Sequence, residues 1–260
     1  MLQYESQSYD KGLSQKLMQK YRPLFVFSIV SYAIFVSKVS KIRKDRENRN
    51  TAILISCWNA CNAIANIIML IGALPDFITS FHEGLYSSLC LNQGLYTNPR
   101  TAKLLFMFHA SKIWELLDTV FVIMDGRQAS IIHVTHHIIT SISVVSSYPQ
   151  LGAVIRWISV TNLIAHSVLY SYLTAQSCVW KQRTRSARIV SGIQLIQFPI
   201  CLFAFWKILQ YKAARRKCET GYNVACLIIY TILFILFMQF YVSKARSQMK
   251  IARLKGMIKF

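Results

Sequence analysis

The sequence predicts an all-α integral membrane protein with seven transmembrane helices. Hydrophobic residues make up 54% of the 260, and only 15% are charged, where a soluble domain carries about 25%. The apolar residues come in blocks of about 20 rather than in amphipathic stripes, the length that crosses bilayer hydrocarbon. Basic residues gather at the flanks of these blocks, as they do at a membrane surface.

Taken in order, residues 1–20 form a polar N-terminal segment. It lacks an apolar core with a small-residue cleavage site and does not read as a signal peptide. Span one covers 21–39 and is followed by Lys41, Arg43, Lys44, Arg46 and Arg49. Spans two and three cover 51–74 and 102–124. Spans four and five cover 131–148 and 153–173. Span six, 189–209, follows Lys181, Arg183, Arg185 and Arg188, and span seven is 224–242. A basic tail, 243–260, closes the chain, so 21–242 reads as one membrane domain. Seven spans put the termini on opposite sides. The side holding the tail carries more Lys and Arg, which makes the C-terminus cytosolic.

The net charge of +20 does not imply a nucleic-acid partner, because the basic residues flank spans, where they set topology and meet anionic lipid heads. A basic cytosolic rim also suits a polyanionic substrate such as a coenzyme A ester. The sequence holds no Asn-x-Ser/Thr acceptor and no short repeat. Of its seven cysteines, Cys57, Cys61, Cys201 and Cys226 lie in spans, where Cys acts as a small apolar residue. Cys90 and Cys218 fall in two connections that this topology brings to the luminal side, where a disulfide between them is open.

Spans three to six carry polar groups that a bilayer tolerates only at a cost. Span three has His109, Lys112, Glu115, Asp118 and Thr119, and span four begins with His133, His136 and His137. Span five has Asn162, His166, Tyr170 and Tyr172, and span six has Ser191, Gln194 and Gln197. Steps of three and four put most members of each set on one helix face. Because alternate spans run in opposite directions, all four sets fall in the same half of the membrane. Lys112 and Asp118 facing lipid would cost on the order of 5–7 kcal/mol together, so they face the bundle interior. His109 and His82, standing alone, read as structural or surface residues. The clustered imidazoles can serve as nucleophile or base near neutral pH, and intramembrane ionisable groups mark function.

In these motifs the sequence resembles the ELO family of very-long-chain fatty acid elongases. Lys112-Ile-Trp-Glu115-Leu-Leu-Asp118-Thr119 matches that family's Lys-x-x-Glu-x-x-Asp-Thr motif, and residues 133–137 match its His-x-x-His-His box. Asn162 to Leu173 match a third motif, with Leu169 in place of Met and Leu173 in place of a terminal Tyr. Ser191, Gln194 and Gln197 match a fourth, with Ser191 in place of Thr, and Thr135 stands where the box usually has an aromatic.

The resemblance implies condensation of a long-chain acyl-CoA with malonyl-CoA to a 3-oxoacyl-CoA, with release of CO2 and CoA. It implies spans two to seven forming a helical barrel around an acyl-chain tunnel, with span one outside. An acyl-imidazole on His136 is implied, with His166 facing it and His133 and His137 beside it. Asn162, Tyr170, Tyr172, Gln194 and Gln197 would supply donors for the enolate. Asp118 or Glu115 would orient a box imidazole. No metal and no cofactor beyond the co-substrate malonyl-CoA are expected. The implied setting is the endoplasmic reticulum membrane, with the ketoreductase, dehydratase and enoyl reductase of the elongation cycle as partners and a homodimer as an assembly. Gln128 and Val134 look like the branch that takes polyunsaturated substrates. Two other readings compete. A membrane di-iron desaturase or hydroxylase also uses His-x-x-His-His boxes but needs more histidines than the six present. A seven-span receptor or transporter explains the spans but not the histidine cluster.

Overall fold

A bilayer core offers no hydrogen-bond partner to the backbone, so apolar runs must satisfy it internally. The computed structural model describes residues 9–39, 49–96, 98–147, 152–178, 184–221 and 223–257, and among them helices form all the long elements and no strand occurs. The basic stretches expected at 41–46 and at 181–183 lie outside the described residues, as do residues 1–8, Tyr148 and the last three residues.

The helices are α1 (Tyr9–Val39), α2 (Arg49–His82), α3 (Leu85–Cys90), α4 (Pro99–Trp114), α5 (Leu117–Met124), α6 (Ile131–Ser147), α7 (Ile155–Cys178), α8 (Thr184–Ala213) and α9 (Asn223–Met257). Within them, Leu17–Val39, Thr51–His82, Gly152–Gln176, Ser186–Ala213 and Val224–Ser247 are long and apolar enough to cross a membrane. The protein is therefore a multi-pass helical membrane protein. One expected span differs, span three being divided into α4 and α5. Span four is the 17-residue α6, and its last expected residue, Tyr148, lies outside the described residues. The division has a local cause. Around Glu115 the backbone tightens, with Leu116 N–H donating to Ile113 O and Asp118 N–H to Glu115 O, an i→i−3 turn that interrupts the α-helix. Helix also extends beyond the expected membrane limits, into the polar start and the basic tail, because Lys and Arg propagate a helix that an apolar run has already nucleated.

The packing order runs from helix to helix. α2 lies along α7, α7 against α8, α8 against α9, α9 against α6, α6 against α4, and α4 against α2; α1 leans on α4 and α6. Gly72 permits the approach of α2 to α4, since a Cβ there would stand 2.5 Å from Leu104 Cδ1. Outward faces are apolar, with Phe27, Ile64, Ile68, Ile196, Trp206 and Ile228 exposed, the pattern of lipid-facing surface.

One end of the molecule is sealed. Arg156, buried at the start of α7, donates to Asp76 Oδ2 at 2.6 Å, Leu91 O at 2.7 Å and Gln93 O at 2.6 Å. Cys90 and Cys218 are joined by a disulfide, with Cα atoms 4.3 Å apart. Glu219 N–H donates to Cys90 O, and Asn92 donates to Glu219 through its backbone and its side chain. Gly152 has φ +64°, and a Cβ there would lie 1.8 Å from Glu219 O, so only glycine fits. Leu89, Val154, Ile155, Phe205 and Ile208 pack this end with almost no exposure.

Candidate active site

The opposite half of the bundle is open and polar. A cavity of about 2120 Å³, counted with its mouth, is lined from six helices. Asn59 comes from α2, Asp118 from α5, the box histidines from α6, His166 and Tyr170 from α7, Gln194 and Gln197 from α8, and Phe237 from α9. A narrow apolar cavity, about 720 Å³ when counted with the open space around it, runs toward the sealed end among Phe108, Val144, Ile155, Ile158, Tyr230 and Leu233. His136 and Gln197 line both cavities.

α6 acts as a ladder between them. His133, His136 and His137 stand in its first turns and face the polar cavity, while His136, Thr140 and Val144 follow the same face into the apolar one, as steps of three and four require. The imidazoles touch edge to face, with centroids 4.4 Å apart for His133 and His137 and 5.7 Å for His136 and His137. Phe237 backs His136 at 5.4 Å. Among the described residues, Nδ1 of His136 is buried with no hydrogen-bond partner.

A chain of polar contacts crosses the bundle behind them. Lys112 Nζ donates to Glu115 Oε1 at 2.6 Å and to Asn162 Oδ1 at 2.7 Å. Asn162 Nδ2 donates to Gln197 Oε1 at 3.2 Å, and Gln197 Nε2 to Gln194 O at 2.9 Å. Glu115 Oε1 stands 3.5 Å from His166 Nδ1, which makes no hydrogen bond among the described residues. Asp118 accepts from Tyr170 OH at 2.5 Å and from Trp58 Nε1 at 2.7 Å. Thr119 Oγ1 lies 2.9 Å from His133 Nε2 and 2.8 Å from Tyr32 OH.

Most of the expected residues therefore meet, with two corrections. Neither Asp118 nor Glu115 hydrogen-bonds a box imidazole among the described residues. Asp118 is taken up by Tyr170 and Trp58, Glu115 by Lys112 and Ser111, and the box is held through Thr119. Tyr172 does not line either cavity, although Gln176, one turn on, lines the polar one. Its hydroxyl accepts from Gln176 on the same helix. His109 is buried beside the apolar cavity with Nδ1 2.6 Å from Leu105 O, and His82 is exposed at the end of α2.

Sequence reasoning missed the contribution of α2 and α1. Asn59, Asn62 and Asn66 form a buried stripe at steps of three and four, a signal as legible as those of the later spans. Trp58 and Tyr32 gave no such signal, because aromatic residues are common in membrane helices. Among the described residues no three of His, Cys, Asp and Glu group as ligands for a metal ion.

A family model described as the GNS1/SUR4 family, ELO, matches residues 16–252. The chain belongs to this ELO family. The ELO chain is 27% identical over 232 residues to long chain fatty acid elongase 2 of Caenorhabditis elegans, covering 86% of this chain and 84% of that one. It is 25% identical over 197 residues to very long chain fatty acid elongase 6 of Homo sapiens, covering 75% and 73%. With very long chain fatty acid elongase 3 of Mus musculus the ELO chain shares 25% identity over 260 aligned positions, covering 91% and 93%.

Proposed function

We propose that this ELO protein is a fatty acid elongase that condenses a long-chain acyl-CoA with malonyl-CoA. The observation that carries the reading is the position of His136 at the junction of the two cavities. An acyl tail lying in the apolar cavity brings its thioester carbonyl to this imidazole, while the CoA portion stays in the polar one. A neutral His136 nitrogen attacks the carbonyl, CoA leaves as the thiol after taking up a proton, and an acyl-imidazole remains. Malonyl-CoA then loses CO2, and its electron pair passes to the α-carbon as an enolate. That carbon attacks the acyl carbonyl and expels the imidazole, giving a 3-oxoacyl-CoA two carbons longer. Decarboxylation generates the carbanion, so no strong base is needed. The Asn162 and Gln197 amides around the junction supply donors for developing oxyanions, while the single Tyr170 hydroxyl proton is committed to Asp118. No cofactor takes part.

The same reading takes α4 with α5, and α6, as the third and fourth of seven crossings. The packing order from α2 through α4, α6, α9 and α8 to α7 and back to α2 supports a six-helix barrel around the tunnel, with α1 outside. The protein resides in the endoplasmic reticulum membrane with its polar cavity and C-terminus toward the cytosol. It passes product to the ketoreductase, dehydratase and enoyl reductase of the cycle.

The test is to mix purified protein with acyl-CoA alone and follow it by mass spectrometry. One acyl group should load onto the peptide carrying His136, with release of one CoA, and malonyl-CoA should discharge it as 3-oxoacyl-CoA. A His136→Ala variant that still forms product at the normal rate would refute the nucleophile. Failure of the unaltered protein with a panel of acyl chain lengths would refute the condensation.

A further inference from the structure

Resting on the condensation reading, we infer that Tyr32, on the peripheral helix α1, is a positioning residue of the site and fixes one tautomer of His133 through Thr119. Tyr32 is 5% exposed, and among the described residues its hydroxyl has a single polar partner, Thr119 Oγ1, at 2.8 Å. Thr119 is fully buried, and the same oxygen lies 2.9 Å from His133 Nε2. Three elements that are distant in sequence, α1, α5 and α6, thus share one short relay.

The relay has only one arrangement that leaves no donor stranded. A threonine hydroxyl has one proton and two lone pairs. Were His133 to donate from Nε2 to Thr119, Thr119 would either donate to Tyr32 and strand the buried phenol proton, or accept from Tyr32 as well and strand its own. In the opposite sense Tyr32 donates to Thr119, Thr119 donates to His133 Nε2, and both hydroxyl protons are used. Nε2 is then an acceptor, so neutral His133 carries its proton on Nδ1. The ring is also held in place, because His133 packs against His137 at 4.4 Å and Tyr32 packs edge-on against His137 at 6.5 Å. His133 lines the polar cavity, so its fixed N–H is a pre-set donor in the wall around the reacting groups, and α1 is part of the site without lining it.

Tyr32→Phe removes the hydroxyl and keeps the ring against His137. It should lower kcat for condensation by about tenfold or more, with KM for both CoA esters within about twofold and the thermal midpoint unchanged. Thr119→Val should act alike, the double variant should be no worse than Thr119→Val alone, and Thr119→Ser should retain activity. In 15N-histidine-labelled protein the His133 signals, assigned by their loss in His133→Gln, should show a protonated Nδ1. In Tyr32→Phe they should show a mixture of tautomers. Normal kcat in Tyr32→Phe, losses that multiply in the double variant, or a protonated Nε2 in the unaltered protein would each overturn the inference. If the unaltered protein fails to condense any acyl-CoA, the functional reading falls, and the tautomer measurement still decides this one.

Discussion

The two ends of the bundle solve opposite problems with similar residues. Each buries a cation against a carboxylate, Arg156 with Asp76 at the sealed end and Lys112 with Glu115 beside the histidines. At the sealed end the guanidinium also binds two loop carbonyls, the disulfide and Gly152 hold the connections together, and buried apolar side chains such as Leu89, Val154 and Phe205 pack beneath them. Beside the histidines the ammonium binds Asn162, and beyond it the bundle leaves a cavity with imidazole nitrogens that no group among the described residues satisfies. A buried ion pair thus serves as a staple in one place and as scaffolding for reactive groups in the other. Unsatisfied buried polar atoms are costly. Among the described residues such atoms occur at both ends, on Asn92 at the sealed one and on His136 and His166 at the other, but only the two at the histidines belong to groups able to act as nucleophile or base.

That contrast can be broken by substitution. The largest effect belongs to His136→Ala, which should abolish product formation while the thermal midpoint in detergent stays within a few degrees. Next come the paired changes Lys112→Met and Arg156→Met. Each leaves a carboxylate without its cation and should cost about 3–5 kcal/mol of stability, read by thermal unfolding. Lys112→Met should also reduce kcat, and Arg156→Met should leave kcat per folded molecule unchanged. Equal kinetic loss in both would erase the distinction between the ends. Gly152→Ala should cost more than the about 1–3 kcal/mol of a positive φ alone, because its Cβ would also stand 1.8 Å from the Glu219 carbonyl oxygen. Its checks are the thermal midpoint and faster proteolysis near residue 152. Replacing Cys90 and Cys218 together by Ala should cost about 2–4 kcal/mol, with kcat unaltered.

The comparison also shows what could be read from the chain. The polar stripes of spans three to six, and their common depth, were visible as spacing, because a helix converts steps of three and four into one face. The asparagine stripe of α2 was visible by the same rule, although no motif drew attention to it. Other features were not visible. The break at Glu115 depends on a local tightening of the backbone that no proline or glycine announces. Asp118 has two partners, Trp58 and Tyr170, that lie on other helices, and either could equally have been a packing residue. Tyr172 looked equivalent to Tyr170 as part of a motif, yet it lines neither cavity.

By itself the sequence determined that this chain lives in a bilayer as helices, and that the motif residues of spans three to six face inward in one half of it. Hydrocarbon imposes both results, since it tolerates neither unpaired backbone nor exposed charge. Only the tertiary structure decided which carboxylate meets which partner, that His136 stands where two cavities join, and that α1 reaches the histidine box through Tyr32. These depend on helix rotation and neighbour choice. Lipid leaves both nearly free, and they are fixed only when side chains from different helices must satisfy one another.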